Sequence, residues 1–146
     1  SFKNEFINAM SYIDIQLIMH DYSFDVEYSI DENIYEYYTL NMTLQPIIEN
    51  AIEHGIDKKR FGRGYIKIIA LDKEDFIEIQ IIDNGPGMDN SVIENSLIKQ
   101  SKGYGLRSVD QRIKLFFGDR YGIKISSKPD EGTYVYIKLP KYIPKI

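Results

Sequence analysis

Five short runs with strand character, set between stretches of helical spacing, narrow most sharply what this chain can fold into. Phe24–Ile30 alternates apolar and polar residues with period two. Residues 65–71 and 76–82 read as two further strands joined by the turn Asp72-Lys73-Glu74-Asp75, hence a hairpin. Two more, about 121–127 and 133–139, flank Lys128-Pro129-Asp130-Glu131-Gly132. Between them Phe2, Phe6, Met10, Ile13 and Leu17 recur at helical spacing. A second helix is predicted over about 40–54 with Gly55 as its stop, and Pro46 should fall near its first turn. A short helix is expected near 89–98 and a clear one over 106–117, ended by Gly118. The stretch through Tyr38 stays ambiguous. This order predicts an α+β, two-layer α/β sandwich: a mixed, mostly antiparallel sheet with about three helices on one face.

The chain's 146 residues suit one domain spanning 1–146. A net charge of −4 argues against a nucleic-acid surface, which needs a basic face. The absence of cysteine removes disulfides and thiolate metal sites, in keeping with a cytoplasmic setting. No run approaches the ~20 apolar residues of a membrane-spanning helix. The first residues carry no signal-peptide pattern and lie inside a helical one, so a cut from a longer chain is expected.

Three segments carry candidate chemistry. In Leu44-Gln45-Pro46-Ile47-Ile48-Glu49-Asn50-Ala51-Ile52-Glu53-His54-Gly55, helical spacing sets Asn50 and His54 on one flank beside the apolar stripe. A side-chain amide oxygen can ligate Mg²⁺, a hard ion that prefers oxygen and keeps most of its waters; the bland alternative is a solvated polar face. In Asp83-Asn84-Gly85-Pro86-Gly87-Met88, a strand-end carboxylate can accept a hydrogen bond from an exocyclic amine such as that of adenine. Gly85 and Gly87 let backbone approach a flat ring. Alone, it equally reads as an ordinary Asn-Gly turn. Third, Gly103 and Gly105 precede the helix that opens at Leu106, where free N–H groups and the dipole's positive end suit phosphates. Lys102 and Arg107 stand beside it and could add charge. No Walker A loop and no Rossmann fingerprint is present.

Taken in order, the segments resemble the GHKL superfamily, the ATP-binding domains shared by sensor histidine kinases, gyrase B, Hsp90 and MutL. The first is similar to that family's N box, and DNGPGM and GYGLRSVDQRIKLFFG are similar to its two glycine boxes. Glu131-Gly132-Thr133 before a strand is similar to its closing Gly-Thr element. The form is typical of bacterial sensor kinases of the LytS/YesM type, and the likeness covers about residues 1–140. It implies a Bergerat fold with ATP beneath a lid at about 89–104. By position Asn50 would coordinate Mg²⁺, Asp83 would take the adenine amine, and Thr133 would lie near the adenine. Gly85, Gly87, Gly103, Gly105 and Leu106 would shape the pocket and phosphate loop, with His54 near the phosphates. Two positions depart from relatives. Glu53 stands where Lys is frequent, and Pro46 stands where gyrase-type members carry a hydrolytic Glu. Efficient autonomous hydrolysis is therefore not expected.

The resemblance implies a catalytic fragment that donates the γ-phosphate of ATP to a histidine on a dimerisation domain absent from this chain, for relay to a response regulator. No catalytic residue is assigned. Residues 1–20 would lead from the dimerisation domain, and the full-length protein would be a membrane-anchored homodimer with this domain in the cytoplasm. Of the two histidines, His54 belongs to the N box and His20 lacks an acceptor context. The alternatives are an anti-sigma-factor-type serine kinase of the same superfamily and a non-catalytic module that docks partners.

Overall fold

The computed structural model describes residues 1–59, 61–87 and 105–145. The expected helix at 89–98, the lid, Lys102 and Gly103 lie outside the described residues.

Helix α1 (Phe2–Met19) starts at Ser1, whose hydroxyl accepts the Asn4 N–H, and buries Phe2, Phe6, Ala9 and Ile13. Strand β1 (Phe24–Ile30) follows, then a single turn of 3₁₀ helix at Glu32–Glu36, which resolves the ambiguous stretch. Helix α2 (Leu44–Asn50) runs on as a wider π-helical turn, Ala51–Ile56. Strands β2 (Gly64–Asp72) and β3 (Ile77–Asp83) form the expected hairpin. Helix α3 (Gly105–Phe117) and strands β4 (Gly122–Ser127) and β5 (Thr133–Leu139) complete the chain. The sheet order is β1-β2-β3-β5-β4, with β1 parallel to β2 and every other pair antiparallel. The mixed sheet with three α-helices matches the expectation. Among the described residues no helix is long and apolar enough to cross a membrane.

Period two explains which face is buried. Ile68, Ile81 and Val135 lie in one cross-strand row and Ala70, Ile79 and Ile137 in the next, and all are buried. The helices close over this face through Phe6, Ile13, Ile47, Ile48, Val109 and Ile113. The intervening side chains, among them Lys67, Gln80, Tyr134 and Tyr136, are only half-buried on the opposite face.

Two boundaries differ from the periodicity. The helical stripe predicted from residue 40 starts at Leu44, because residues 40–43 form a turn in which Met42 has φ 58°. Gly55 is not the helix stop: it lies buried inside the π-helical turn, which continues to Ile56. Pro46, third in α2, sits in the first turn as expected, where its missing N–H costs no helical hydrogen bond.

The N-terminus of α2 is capped from outside. Thr43, its N-cap residue, makes no side-chain cap bond. Instead the buried Glu5 carboxylate accepts the N–H groups of Met42 at 2.8 Å, Thr43 at 3.1 Å and Leu44 at 3.1 Å. Arg112 of α3 donates to the carbonyls of Asn41 and Met42 at 3.0 and 2.8 Å. The helix bearing Asn50 is thus held at its start by both neighbouring helices. Glu5→Ala leaves these amides without a partner and is expected to destabilise the fold by about 2 kcal/mol in chemical denaturation. Glu5→Gln, which keeps an acceptor, should cost about half as much.

Candidate nucleotide site

The site forms where the π-helical end of α2 meets the turn after β3. Asp83 closes β3 with only 6% of its surface exposed. One carboxylate oxygen accepts the Gly85 N–H at 2.9 Å, and the Thr133 N–H also donates to this carboxylate. Its pKa is raised to about 6, chiefly by burial and against the pull of these two N–H groups and the nearby Lys59 ammonium. At pH 5 the folded chain therefore holds a proton that the unfolded carboxyl, with its ordinary value of 3.8, has released. Stability is expected to fall as pH rises from about 4 to about 6, by about 3 kcal/mol at most, and then to level off. Thermal melts of Asp83→Asn across this window should show a flatter slope; an unchanged slope would assign it to other groups.

Glycines bring the parts together. A Cβ on Gly55 would lie 2.6 Å from the Asp83 carboxyl carbon, and one on Gly85 would overlap the Gly55 backbone. The helix and the turn are in backbone contact, and only glycine permits it at both positions. Gly87 takes φ 72° with its α-carbon turned to the Lys128 carbonyl. The Asp130 N–H donates to the Pro86 carbonyl at 2.5 Å, so the β4–β5 turn is clasped to this loop. Thr133, 8% exposed, lies opposite Asp83 in the β3–β5 register, and its hydroxyl is 3.0 Å from that of Ser127.

Asn50 ends the α-helical part of α2 with 4% exposure, and its amide oxygen is buried with no hydrogen-bond partner among the described residues. A buried acceptor left unmet costs free energy, so it is expected to serve a ligand. Mg²⁺ suits a lone oxygen of this kind because it retains waters in its other positions. Among the described residues no cluster of three or more His, Cys, Asp or Glu side chains offers an alternative cage. His54 is half-buried in the π-helical turn, 3.9 Å from the exposed Glu53 carboxylate, and burial depresses its pKa, outweighing the opposing pull of that carboxylate. π-Helical turns are rare and frequent at functional sites.

Gly105 starts α3 against Pro46: a Cβ there would lie 2.5 Å from the proline Cβ. The second glycine box and the N box are therefore adjacent. The Leu106 side chain is fully buried among Val109, Ile113 and the rest of the core.

Beside the turn opens a cavity of about 720 Å³, lined by Lys58, Lys59, Phe61, Gly85, Pro86 and Asp130. Its size suits a small-molecule ligand. The Lys59 ammonium donates to the Asn84 carbonyl at 2.8 Å, and the Asn84 side chain binds back to β2 through Tyr65 N–H at 2.7 Å and the Arg63 carbonyl at 3.0 Å. Sequence reasoning named neither Lys59 nor Asn84 as a support of the turn. The available signal was Asn84 itself, a turn residue whose side chain readily bonds nearby backbone.

Known proteins match this arrangement. Residues 39–143 match the family model described as histidine kinase-, DNA gyrase B- and HSP90-like ATPase. YwpD of Bacillus subtilis is 35% identical over 137 residues, covering 92% of this chain and 48% of YwpD. The sensor histidine kinase YesM of Bacillus subtilis is 33% identical over 130 residues, 88% of this chain and 22% of that protein. The sensor histidine kinase BtsS of Escherichia coli is 32% identical over 136 residues, 93% of this chain and 22% of BtsS. The chain thus spans less than half the length of these relatives. In structure it resembles the catalytic domain of the histidine kinase ThkA, with a TM-score of 0.65, 19% identity, and coverage of 96% of this chain and 95% of that one. With its boxes adjacent in space and its sequence matched over most of its length, the chain belongs to the family of histidine kinase-, DNA gyrase B- and HSP90-like ATPases.

Proposed function

We propose that this chain is the ATP-binding catalytic part of a two-component sensor histidine kinase, passing the ATP γ-phosphate to a histidine on a separate dimerisation domain. The observation that carries this reading is the buried Asn50 amide oxygen, unmet among the described residues, on a helix in backbone contact with the buried Asp83 carboxylate's turn. Asp83 would accept the adenine amine, with Thr133 beside it. Asn50 would hold Mg²⁺, which when bound offsets phosphate charge. Gly105 and the loop before it, with Lys102 and Gly103, would face the phosphates, with His54 close by. Phosphoryl transfer depends on positioning and electrostatic stabilisation, which residues on rigid elements can supply.

The acceptor histidine would come from elsewhere. Both ring nitrogens of His20 are engaged, Nε2 at 2.6 Å from Asp57 and Nδ1 at 2.7 Å from the Gln16 carbonyl. Pro46 offers no base at the position of a hydrolytic carboxylate. The whole protein would be a membrane-anchored homodimer acting on a response regulator, its α1 leading from the dimerisation helices into a single domain over 1–146. The relatives' names, as sensor histidine kinases, support the kinase reading. Incubated with radiolabelled ATP and Mg²⁺, the chain is expected to bind nucleotide without labelling itself, and to label an added dimerisation fragment. Stable label on His20 would overturn this division of labour.

A further inference from the structure

At the far end of the sheet from Asp83, a second cavity of about 180 Å³ lies between the end of α3 and the β4–β5 edge. It is lined by Lys114, Arg120, Lys124 and Lys138, with Tyr121, Tyr136 and the carboxylate of Asp119 beside them, and the Asp110 carboxylate stands against Lys114 and the Ile123 N–H. Lys114 is already paired, its ammonium 2.6 Å from Asp110. Arg120, Lys124 and Lys138 enter no ion pair among the described residues. Arg120 and Lys138 rest instead over aromatic rings, 5.9 Å from Tyr121 and 4.6 Å from Phe76. Glu78 lies opposite Lys138 in the β3–β5 register and hydrogen-bonds Tyr136, so in a chain of net charge −4 the local positive field comes from exposed Arg120 and Lys124.

The neighbouring backbone adds a second feature. In the sheet order β4 is an edge strand. The Ile123 N–H points away from β5, since it donates to Asp110 at 2.8 Å. Backbone groups of alternate residues share an edge, so the N–H and C=O of Ile125 face the same open side. Cations at one end of an open strand edge suit a chain that carries carboxylates and can add as a strand.

We propose that this cavity and the adjoining edge of β4 bind an acidic, extended segment of a partner protein. One carboxylate of the segment enters the cavity beside Arg120, its backbone pairs with Ile125, and Lys124 meets a second carboxylate. The surface is separate from the nucleotide site: Lys138 lies five residues along β5 from Thr133, about 16 Å at strand rise.

The test uses the whole chain with fluorescent hexaglutamate, hexaglutamine and inorganic phosphate. Hexaglutamate is expected to bind saturably and to shift the amide resonances of Ile123 and Ile125, while hexaglutamine does neither. Reversing two exposed charges, Arg120→Glu with Lys124→Glu, should weaken hexaglutamate about tenfold while leaving Mg·ATP binding and the melting temperature unchanged. Equal binding of hexaglutamine, unchanged affinity in the double variant, or shifts confined to other strands would overturn the proposal. So would inorganic phosphate displacing the peptide at equal concentration, which would mark a simple anion site.

Discussion

Gly85→Ala is expected to abolish nucleotide binding and to lower stability by about 3 kcal/mol. The added methyl would occupy the space of the Gly55 backbone, and neither partner is a flexible side-chain end that can move aside. Relief requires the turn after β3 to part from the π-helical end of α2, which separates Asp83 from Asn50. A matched control is Gly118→Ala. Gly118 also lacks a side chain, at φ 104°, but a Cβ there meets nothing within 4 Å. That change should cost only about 1 kcal/mol through backbone strain and leave nucleotide affinity intact. Chemical denaturation and nucleotide titration of the two variants separate a close-approach effect from a general glycine effect. Equal behaviour would show that the Gly55–Gly85 contact does not organise the site.

Asn50→Ala should have the opposite signature: lost function with unharmed stability. Among the described residues the asparagine amide oxygen is buried without a partner, so its removal relieves an unmet acceptor. The free protein should therefore be as stable as the parent or slightly more so. Mg²⁺-dependent ATP affinity should fall about a hundredfold, the scale of losing a metal-orienting group. A purely structural asparagine would behave the other way, with stability falling and affinity following only through unfolding.

These variants also show what could be read from the chain before its structure. The strands were legible because one face of the sheet is buried and the other is not, so Ile77, Ile79 and Ile81 alternate with Glu78, Gln80 and Ile82. Motif order singled out Asn50 and Asp83 as candidates, and the glycines beside them mark the close backbone approach between helix and turn. The π-helical turn was not. Period counting sees one helix, whereas the wider turn at Ala51–Ile56 seats Gly55 against Gly85, 30 residues later in the chain. The Glu5 cap was equally hidden: nothing in the spacing of the first helix marks a carboxylate that serves amides 37 to 39 residues away. Contacts this distant leave no local trace in composition or spacing.

Glu53 bears on specificity as well. It is exposed beside His54, so its charge is screened by solvent and need not oppose a triphosphate. Burial favours a neutral His54 imidazole near neutral pH, able to donate a hydrogen bond without adding charge.

A calorimetric titration of the whole chain with ATP, once with Mg²⁺ and once with a chelator, tests the metal role of Asn50 most directly. Saturable one-to-one binding that requires Mg²⁺ and is lost in Asn50→Ala is expected. Flat titrations under both conditions, or equal affinity with and without the metal, would contradict it.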